Sequence, residues 1–243
     1  MISVDNLLYK IDQRLNKLSS NEHQEIQLED KILALNEAQI KLIKTKFSGT
    51  SGGSGLGFDA FKKRYQDIQN LVVDFNENSL TLKEVDTNLN QWEAELSKLN
   101  PKYMLYADAY VLADKGDCKN RIIWINKDLV KHGDIQLLLK SDDYKPSFEY
   151  QETFNSITND KFAIFTDGTF TPKSVELMYI KYPDYTDKAG YVNFDGEDSI
   201  NKDSELEDYL EDELLDLAVA NLADFTENVS AAQTARNRSQ TNE

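Results

Sequence analysis

The spacing of apolar residues changes twice along this chain, and this change constrains the fold more than any other feature. Near the N-terminus apolar side chains recur every three or four residues, as on an amphipathic helix, with a polar break at 19–21. A third helical repeat follows residue 204. The three repeats comprise Leu7, Leu8, Ile11, Leu15, Leu18, Ile26, Leu28, Ile32, Leu35, Ile40, Ile43, Leu206, Leu210, Leu214, Leu217, Ala218, Leu222 and Phe225. We predict a helical hairpin, or one long bent helix, at the start and an amphipathic helix near the end.

Between these helical segments, residues 103–182 contain short runs rich in aromatic and β-branched residues. Turn signals such as Gly116 and Gly168 separate the runs, a pattern typical of antiparallel strands. The predicted strands are 71–75, 104–112, 121–125, 162–166 and 175–182. The predicted fold class is therefore α+β: N-terminal helices, an antiparallel β-sandwich or barrel-like middle domain, and a C-terminal amphipathic helix.

Three shorter segments complete the predicted secondary structure. Residues 127–140 predict a short helix, and residues 144–154 an extended arm. A further helix is predicted to end before Pro101, because four apolar residues have helical spacing there. These four residues are Leu89, Trp92, Leu96 and Leu99.

A run of glycine and serine marks the clearest boundary in the chain. Five of the ten glycines lie between residues 49 and 57, which predicts a flexible hinge. The predicted organisation is an N-terminal helical segment (1–48), the hinge (49–57), a mixed domain with the antiparallel sheet (58–200), a C-terminal helix (201–228) and a flexible tail (229–243).

Composition excludes several classes of function. The formal net charge of -16 opposes binding to bare nucleic acid, whose phosphates it would repel. The single cysteine, Cys118, cannot form an internal disulfide and fits a reducing compartment. Since the N-terminus lacks an apolar signal-peptide core and no run approaches a membrane span, we expect a soluble protein.

No catalytic, cofactor or metal site is predicted. Gly52 and Gly57 have the spacing of a phosphate-binding loop, but the Lys and Ser or Thr that must follow are missing. The acidic run 193–198 does not fit the calcium-loop frame. His23 and His132 lie in different segments without a partner motif, and no two carboxylates stand out as a pair for glycoside hydrolysis. The expectation is that this protein is not an enzyme.

A group of tyrosines offers another kind of site. If they lay on one face of the sheet, their rings could stack on a sugar or a base. Packing inside the sheet is the more common use of such residues. The tyrosines concerned are Tyr103, Tyr106, Tyr110, Tyr179 and Tyr182.

Partner contacts are the expected role of the helices. Two short amphipathic helices bury little unless other elements or a neighbouring subunit cover them. We predict that one apolar stripe mediates a contact between subunits and another mediates docking, although each could equally pack on its own subunit. The residues are Leu28, Ile32, Leu35 and Ile40 for the first stripe and Leu206, Leu210, Leu214 and Leu217 for the second.

Five blocks of sequence resemble a virion protein of crAss-like bacteriophages. They are GLGFDAFKKRYQD at 55–67, YVLADKGDCK at 110–119, YKPSFEYQET at 144–153, VELMYIKYP at 175–183 and ELLDLAV at 213–219. The resemblance covers most of the chain from Gly55 to Asn228. It implies a ring or adaptor protein of the head-to-tail connector and brings no catalytic residue with it.

This resemblance implies particular partners and a location. The chain would form a homo-oligomeric, twelvefold ring below the portal protein, next to other connector or tail ring proteins, and away from membranes. DNA would pass through the lumen without specific binding. The protein would belong to the neck or tail of the virion and be assembled in the host cytoplasm. Two alternatives stay open: a carbohydrate-binding tail module and a hydrolase that acts on polymers of the host surface.

Overall fold

A computed structural model describes residues 1–18, 26–48, 66–75, 79–127, 129–192 and 196–225. The predicted hinge (49–57), the predicted tail (229–243) and His23 lie outside these residues. The chain divides into two compact units. The helical unit comprises Met1–Leu71 and Pro183–Glu243, and the sheet unit comprises Val72–Tyr182. Residues 183–200, which the sequence assigns to the mixed domain, are therefore part of the helical unit.

The helices are α1 (Val4–Leu18), α2 (Leu28–Ser48), α3 (Ile135–Lys140) and α4 (Glu211–Phe225). The strands are β1 (Val72–Val73), β2 (Ser79–Thr81), β3 (Lys83–Asp86), β4 (Gln91–Glu95), β5 (Tyr103–Lys115), β6 (Cys118–Lys127), β7 (Glu152–Thr158), β8 (Lys161–Phe165) and β9 (Thr171–Lys181). The fold class is α+β, as predicted.

In the helical unit, α4 packs against both α1 and α2. The apolar stripes meet in a shared interior, where Leu7, Ile32 and Leu214 are fully buried. Charged residues reinforce the edge between α1 and α4: Lys10 contacts Glu211 at 2.6 Å, and Arg14 pairs with Asp212 and Asp216. The three helices therefore cover one another's stripes within a single chain.

A buried polar network fixes the segment that leads into α4. The amide of Asn36 donates to the carbonyl of Thr186 at 2.8 Å, and its oxygen accepts the Thr186 backbone N–H at 2.9 Å. One turn later, the Gln39 side-chain oxygen accepts hydrogen bonds from the hydroxyls of Thr186 and Ser204. Hydrogen bonds among these buried donors and acceptors offset the cost of removing them from water. They hold Asp184, Thr186 and Ser204 against α2.

In the sheet unit, the nine strands of the described chain form one sheet in the order β1-β9-β5-β6-β7-β8-β4-β3, with β2 also paired to β9. Neighbouring strands are antiparallel except β6 and β7, which are parallel. β5 and β9 share the longest register. The sheet is not closed into a barrel. Strands β2 and β3 follow each other in the chain, but β2 pairs with β9 near one end of the strand order and β3 pairs with β4 near the other end.

Alternating side chains of β8 separate two cores. Phe162 and Ile164 enter the main core, and the ring of Phe162 lies 5.7 Å from that of Tyr106 on β5. Since β5 and β8 are not neighbours in the sheet, this contact requires the sheet to fold back on itself, as in a sandwich. On the opposite face, Phe165 packs beneath α3 together with Phe154.

One predicted helix is wrong. The segment with Leu89, Trp92, Leu96 and Leu99 contains strand β4 followed by a short turn of 3₁₀-helix at Leu96–Lys98. Strand β4 pairs on both sides, with β3 and with β8, so tertiary hydrogen bonding overrides the helical preference of its Glu and Ala residues. The predicted extended arm at 144–154 is wrong for most of its length: residues 144–151 are mainly turns, with a bridge between Ser147 and Glu152, and only the last three residues belong to β7.

The Gln39 network generates the first prediction. Gln39→Ala leaves the Ser204 and Thr186 hydroxyls without their acceptor and removes the hydrogen bond to the Asp184 carbonyl. We expect unfolding free energy, measured by urea denaturation, to fall by ~2–3 kcal/mol.

Gln13→Ala is the matched control, because Gln13 is an exposed glutamine on α1. It should change the unfolding free energy by less than ~0.5 kcal/mol. Equal losses in the two variants would show that the buried amide does not stabilise the helical unit.

Candidate interaction surfaces

The candidate chemical groups lie apart on the surface. Cys118 is exposed at the start of β6, and His132 is exposed in the short turn before α3. Within the described ranges, no group of three or more His, Cys, Asp and Glu residues could hold a metal ion. No described helix is long and apolar enough to cross a membrane.

The five tyrosines considered for ring stacking do not share one face of the sheet. Tyr106 and Tyr179 are buried in the main core, where Tyr179 donates a hydrogen bond to the carbonyl of Pro101 at 2.7 Å. Tyr103 packs against Tyr179 with ring centroids 5.9 Å apart. Tyr182 is 42% exposed beneath the ammonium of Lys102, and Tyr110 lies on the outer side of the sheet. Three of the five therefore serve packing within the unit.

The structure places most of the predicted interaction residues inside the helical unit. Ile32, Leu35, Leu206, Leu210 and Leu214 are each no more than 2% exposed, so they pack on their own chain. Leu28, Ile40 and Leu217 are half-buried. Their role in subunit contacts stays a prediction, and the half-buried positions are the ones that a partner could reach.

A buried ion cluster joins α2 to α4. The ammonium of Lys46 lies 3.2 Å from Asp67 and 2.6 Å from Glu213, and the side chains of these three residues are between 2% and 12% exposed. Two carboxylates thus share one ammonium away from water. Loss of that ammonium would leave two buried like charges uncompensated.

Tyr209 stands at the edge of this cluster. Burial around its hydroxyl, followed by the nearby carboxylate of Asp67, raises the pKa of Tyr209 to about 12. The residue as a whole is 58% exposed. The cluster therefore holds this tyrosine in its neutral form well above the ordinary pH range.

The outer face of the sheet carries an exposed apolar surface, which we call the aromatic face and define as Phe75, Tyr110, Ile122 and Trp124. The rings of Phe75 and Tyr110 are 5.0 Å apart, and those of Tyr110 and Trp124 are 5.7 Å apart. Trp124 is 52% exposed and Ile122 is 38% exposed. An antiparallel sheet with one solvated face normally carries polar residues there, so this surface is suited to a partner.

Carboxylates border the aromatic face. Glu176 on β9 pairs directly with Tyr110 on β5, and Asp74 precedes Phe75. The pKa of Tyr110 is raised, mainly because the side chain is partly buried and secondly because Glu176 and Asp74 carry negative charges nearby. The aromatic face is therefore both apolar and acidic.

The C-terminal half of α2 presents a second surface that is exposed among the described residues, the α2 outer face, defined as Ile40, Lys41, Lys44 and Phe47. Both lysines are exposed, Phe47 is 37% exposed and Ile40 is half-buried. Spacings of three and four residues place these side chains on one side of the helix. No acidic residue occurs from 38 to 48, but the exposed Glu37 lies on the same side of the helix, four residues before Lys41. The surface therefore carries two positive charges and one negative charge beside its apolar residues.

Comparison with known proteins finds no protein-family model and no curated protein that matches this chain. The two surfaces are therefore interpreted from their own chemistry. Sequence reasoning identified only Ile40 of the α2 outer face and Tyr110 of the aromatic face as candidates. The one signal for the aromatic face is the run Ile122-Ile123-Trp124-Ile125, which places apolar residues on both sides of β6 and so predicts a strand covered on both faces.

Replacing the shared cation tests the ion cluster. Lys46→Met keeps the volume of the side chain but leaves Asp67 and Glu213 buried without a counter-charge. The unfolding free energy should fall by about 3–5 kcal/mol in urea denaturation. Asp67→Asn, which leaves one carboxylate for the ammonium, should cost less.

The control for this substitution is Lys44→Met, an exposed lysine two residues earlier on the same helix. Its effect should stay within ~0.5 kcal/mol. If Lys46→Met were as mild as this control, the cluster would not be coupled to folding.

The raised pKa of Tyr209 predicts a loss of stability at alkaline pH. A folded pKa above the ordinary value of about 10 favours the neutral hydroxyl. This contribution to stability is complete below pH ~10 and is lost as the pH rises towards 12. Denaturation curves across this range should show a smaller decline for Tyr209→Phe than for the unsubstituted protein, and an unchanged decline would contradict the assignment.

Proposed function

We propose that this protein is a structural virion protein that forms a ring in the head-to-tail connector of a crAss-like bacteriophage, below the portal. It acts by oligomeric assembly and not by catalysis. The ring would be twelvefold, in the neck or tail of the virion, after assembly in the host cytoplasm. The portal and the other connector or tail ring proteins would be its partners.

The aromatic face is the observation that carries this proposal. It places Trp124, Tyr110 and Ile122 on the outside of a sheet whose inner face already has a complete core. Contiguous exposed apolar side chains of this kind are typical of protein interfaces. A subunit that functions by assembly needs such a surface.

Three of the five blocks of resemblance, 110–119, 144–153 and 175–183, contact one another in the sheet unit. Block 110–119 forms the turn between β5 and β6, and block 175–183 contains most of β9, which pairs with β5. Lys115 of the first of these blocks contacts Glu149 at 3.1 Å and lies 5.5 Å from the ring centre of Phe148, both in block 144–153. These three blocks therefore contribute contacts within the sheet unit, whereas block 213–219 belongs to α4 of the helical unit.

The charge of the chain is compatible with DNA passage. A net charge of -16 repels phosphate, so acidic side chains at a lumen would keep DNA from adhering during transit. A ring whose lumen were lined by Lys and Arg would contradict this part of the proposal.

A carbohydrate-binding tail module is the second candidate, because an exposed Trp124 beside Tyr110 could also stack on a sugar ring. Specific binding on a glycan array, abolished by Trp124→Ala, would favour this candidate over assembly.

The proposed function predicts closed rings. Electron microscopy of the purified protein, alone and mixed with a portal, should show rings of uniform diameter, and sedimentation should show a mass many times that of one chain. Trp124→Asp should reduce assembly, because it places a charge at the centre of the proposed interface. The control is Leu137→Asp on α3, where the leucine is 72% exposed outside the aromatic face.

A strict monomer that ignores portal and tail components at high concentration would overturn the connector assignment. Equal loss of assembly in Trp124→Asp and Leu137→Asp would show that the aromatic face is not the assembly interface.

A further inference from the structure

The aromatic face and the α2 outer face have complementary chemistry. The aromatic face offers two large rings bordered by Asp74 and Glu176. The α2 outer face offers Phe47 and Ile40 together with the ammonium groups of Lys41 and Lys44. Each is apolar in part and charged in part, and the two charges are opposite.

The charges of both faces are available for a partner. Neither Lys41 nor Lys44 forms an ion pair with any residue that the structure describes. Asp74 accepts a hydrogen bond only from the adjacent Phe75 N–H at 2.7 Å, and Glu176 only a long one, 3.4 Å, from the Ser174 hydroxyl, again among described residues. No opposing side chain on the described surface neutralises them.

We infer that the α2 outer face of one copy of this chain docks on the aromatic face of a second copy. This inference rests on the proposed function and names the contact by which the ring would grow. The two faces are different surfaces of the same chain, so the contact is heterologous. Each bound copy still presents one free face to the next, and such a contact closes into a ring when its rotation permits.

The proposed contact combines two kinds of interaction. A lysine ammonium placed over Tyr110 or Trp124 gains a cation–π interaction, which strengthens as water is excluded. The nearby carboxylates of Asp74 and Glu176 then pair with the lysines, while Phe47 and Ile40 cover the exposed parts of Trp124 and Ile122. The apolar contacts supply affinity, and the ion pairs set orientation and partner choice.

A second copy is favoured over an unrelated basic partner by the charge distribution of this chain. The chain has 43 acidic against 27 basic residues, yet residues 38–48 hold three lysines and no acidic residue. The lysines of this segment are therefore attracted electrostatically to the acidic surface of any other copy of the chain. Within the segment, Lys46 is already used by the buried cluster, which leaves Lys41 and Lys44 for contact.

Disulfide trapping between differently tagged chains tests the contact. In a Cys118→Ser background, one chain carries Phe47→Cys and the other carries Trp124→Cys. On mild oxidation of the mixture, the disulfide between the two different chains should form in clear excess over either disulfide between identical chains. Leu137→Cys replaces Trp124→Cys as the control and should give no such excess.

Charge reversal provides the second measurement. The pair Lys41→Glu and Lys44→Glu, or the pair Asp74→Lys and Glu176→Lys on the other chain, should each reduce trapping about tenfold, because like charges then face each other. Combining the two pairs should restore it. Lys131→Glu with Lys140→Glu, on exposed lysines of the sheet unit, controls for the change in net charge.

The outcomes separate this inference from the proposed function. Rings without the mixed disulfide would overturn the inference and leave the ring function standing. The mixed disulfide with open chains and no rings would uphold the contact and overturn the ring. A predominance of disulfides between identical chains would replace the heterologous contact by a twofold one. If a charge-reversed variant failed to fold, the cysteine pair alone would decide.

Discussion

The hydrogen bonds of Asn36 and Gln39 connect the two parts of the chain that form the helical unit. They tie Thr186 and Ser204, which follow the sheet in the chain, to α2, which precedes it. Asp203 caps α1 by accepting the Val4 N–H at 2.9 Å, and α4 packs against both α1 and α2. Two polar side chains on one helix thus determine how the two halves of the helical unit meet.

The predictable part of the fold is the part that depends on local patterns. The apolar stripes place α1, α2 and α4 within a few residues, and the turn at Gly116 marks the β5–β6 hairpin. Strand β4 was predicted as a helix because its sequence favours helix locally, while the hydrogen bonds that make it a strand come from β3 and from β8, which lies some 70 residues away. Long-range pairing of this kind leaves no local signal.

The interaction surfaces were harder to predict for a related reason. The sequence pattern of an apolar stripe such as Leu206, Leu210 and Leu214 is the same whether the stripe is covered by its own chain or by a partner. In this protein its own chain covers it. The aromatic face, in contrast, exists only after strand register places Tyr110 beside Trp124 and Glu176. Its members come from three separate segments, and none is distinctive by itself.

The connectivity of the helical unit has a consequence for synthesis of the protein. Residues 72–182 interrupt this unit in the chain, so α1 and α2 leave the ribosome long before α4 is made. Throughout that interval Ile11, Leu35 and Ile43 lack the helix that covers them. The nascent chain therefore carries an exposed apolar surface while the whole sheet is translated, and a chaperone that binds apolar segments would find it there.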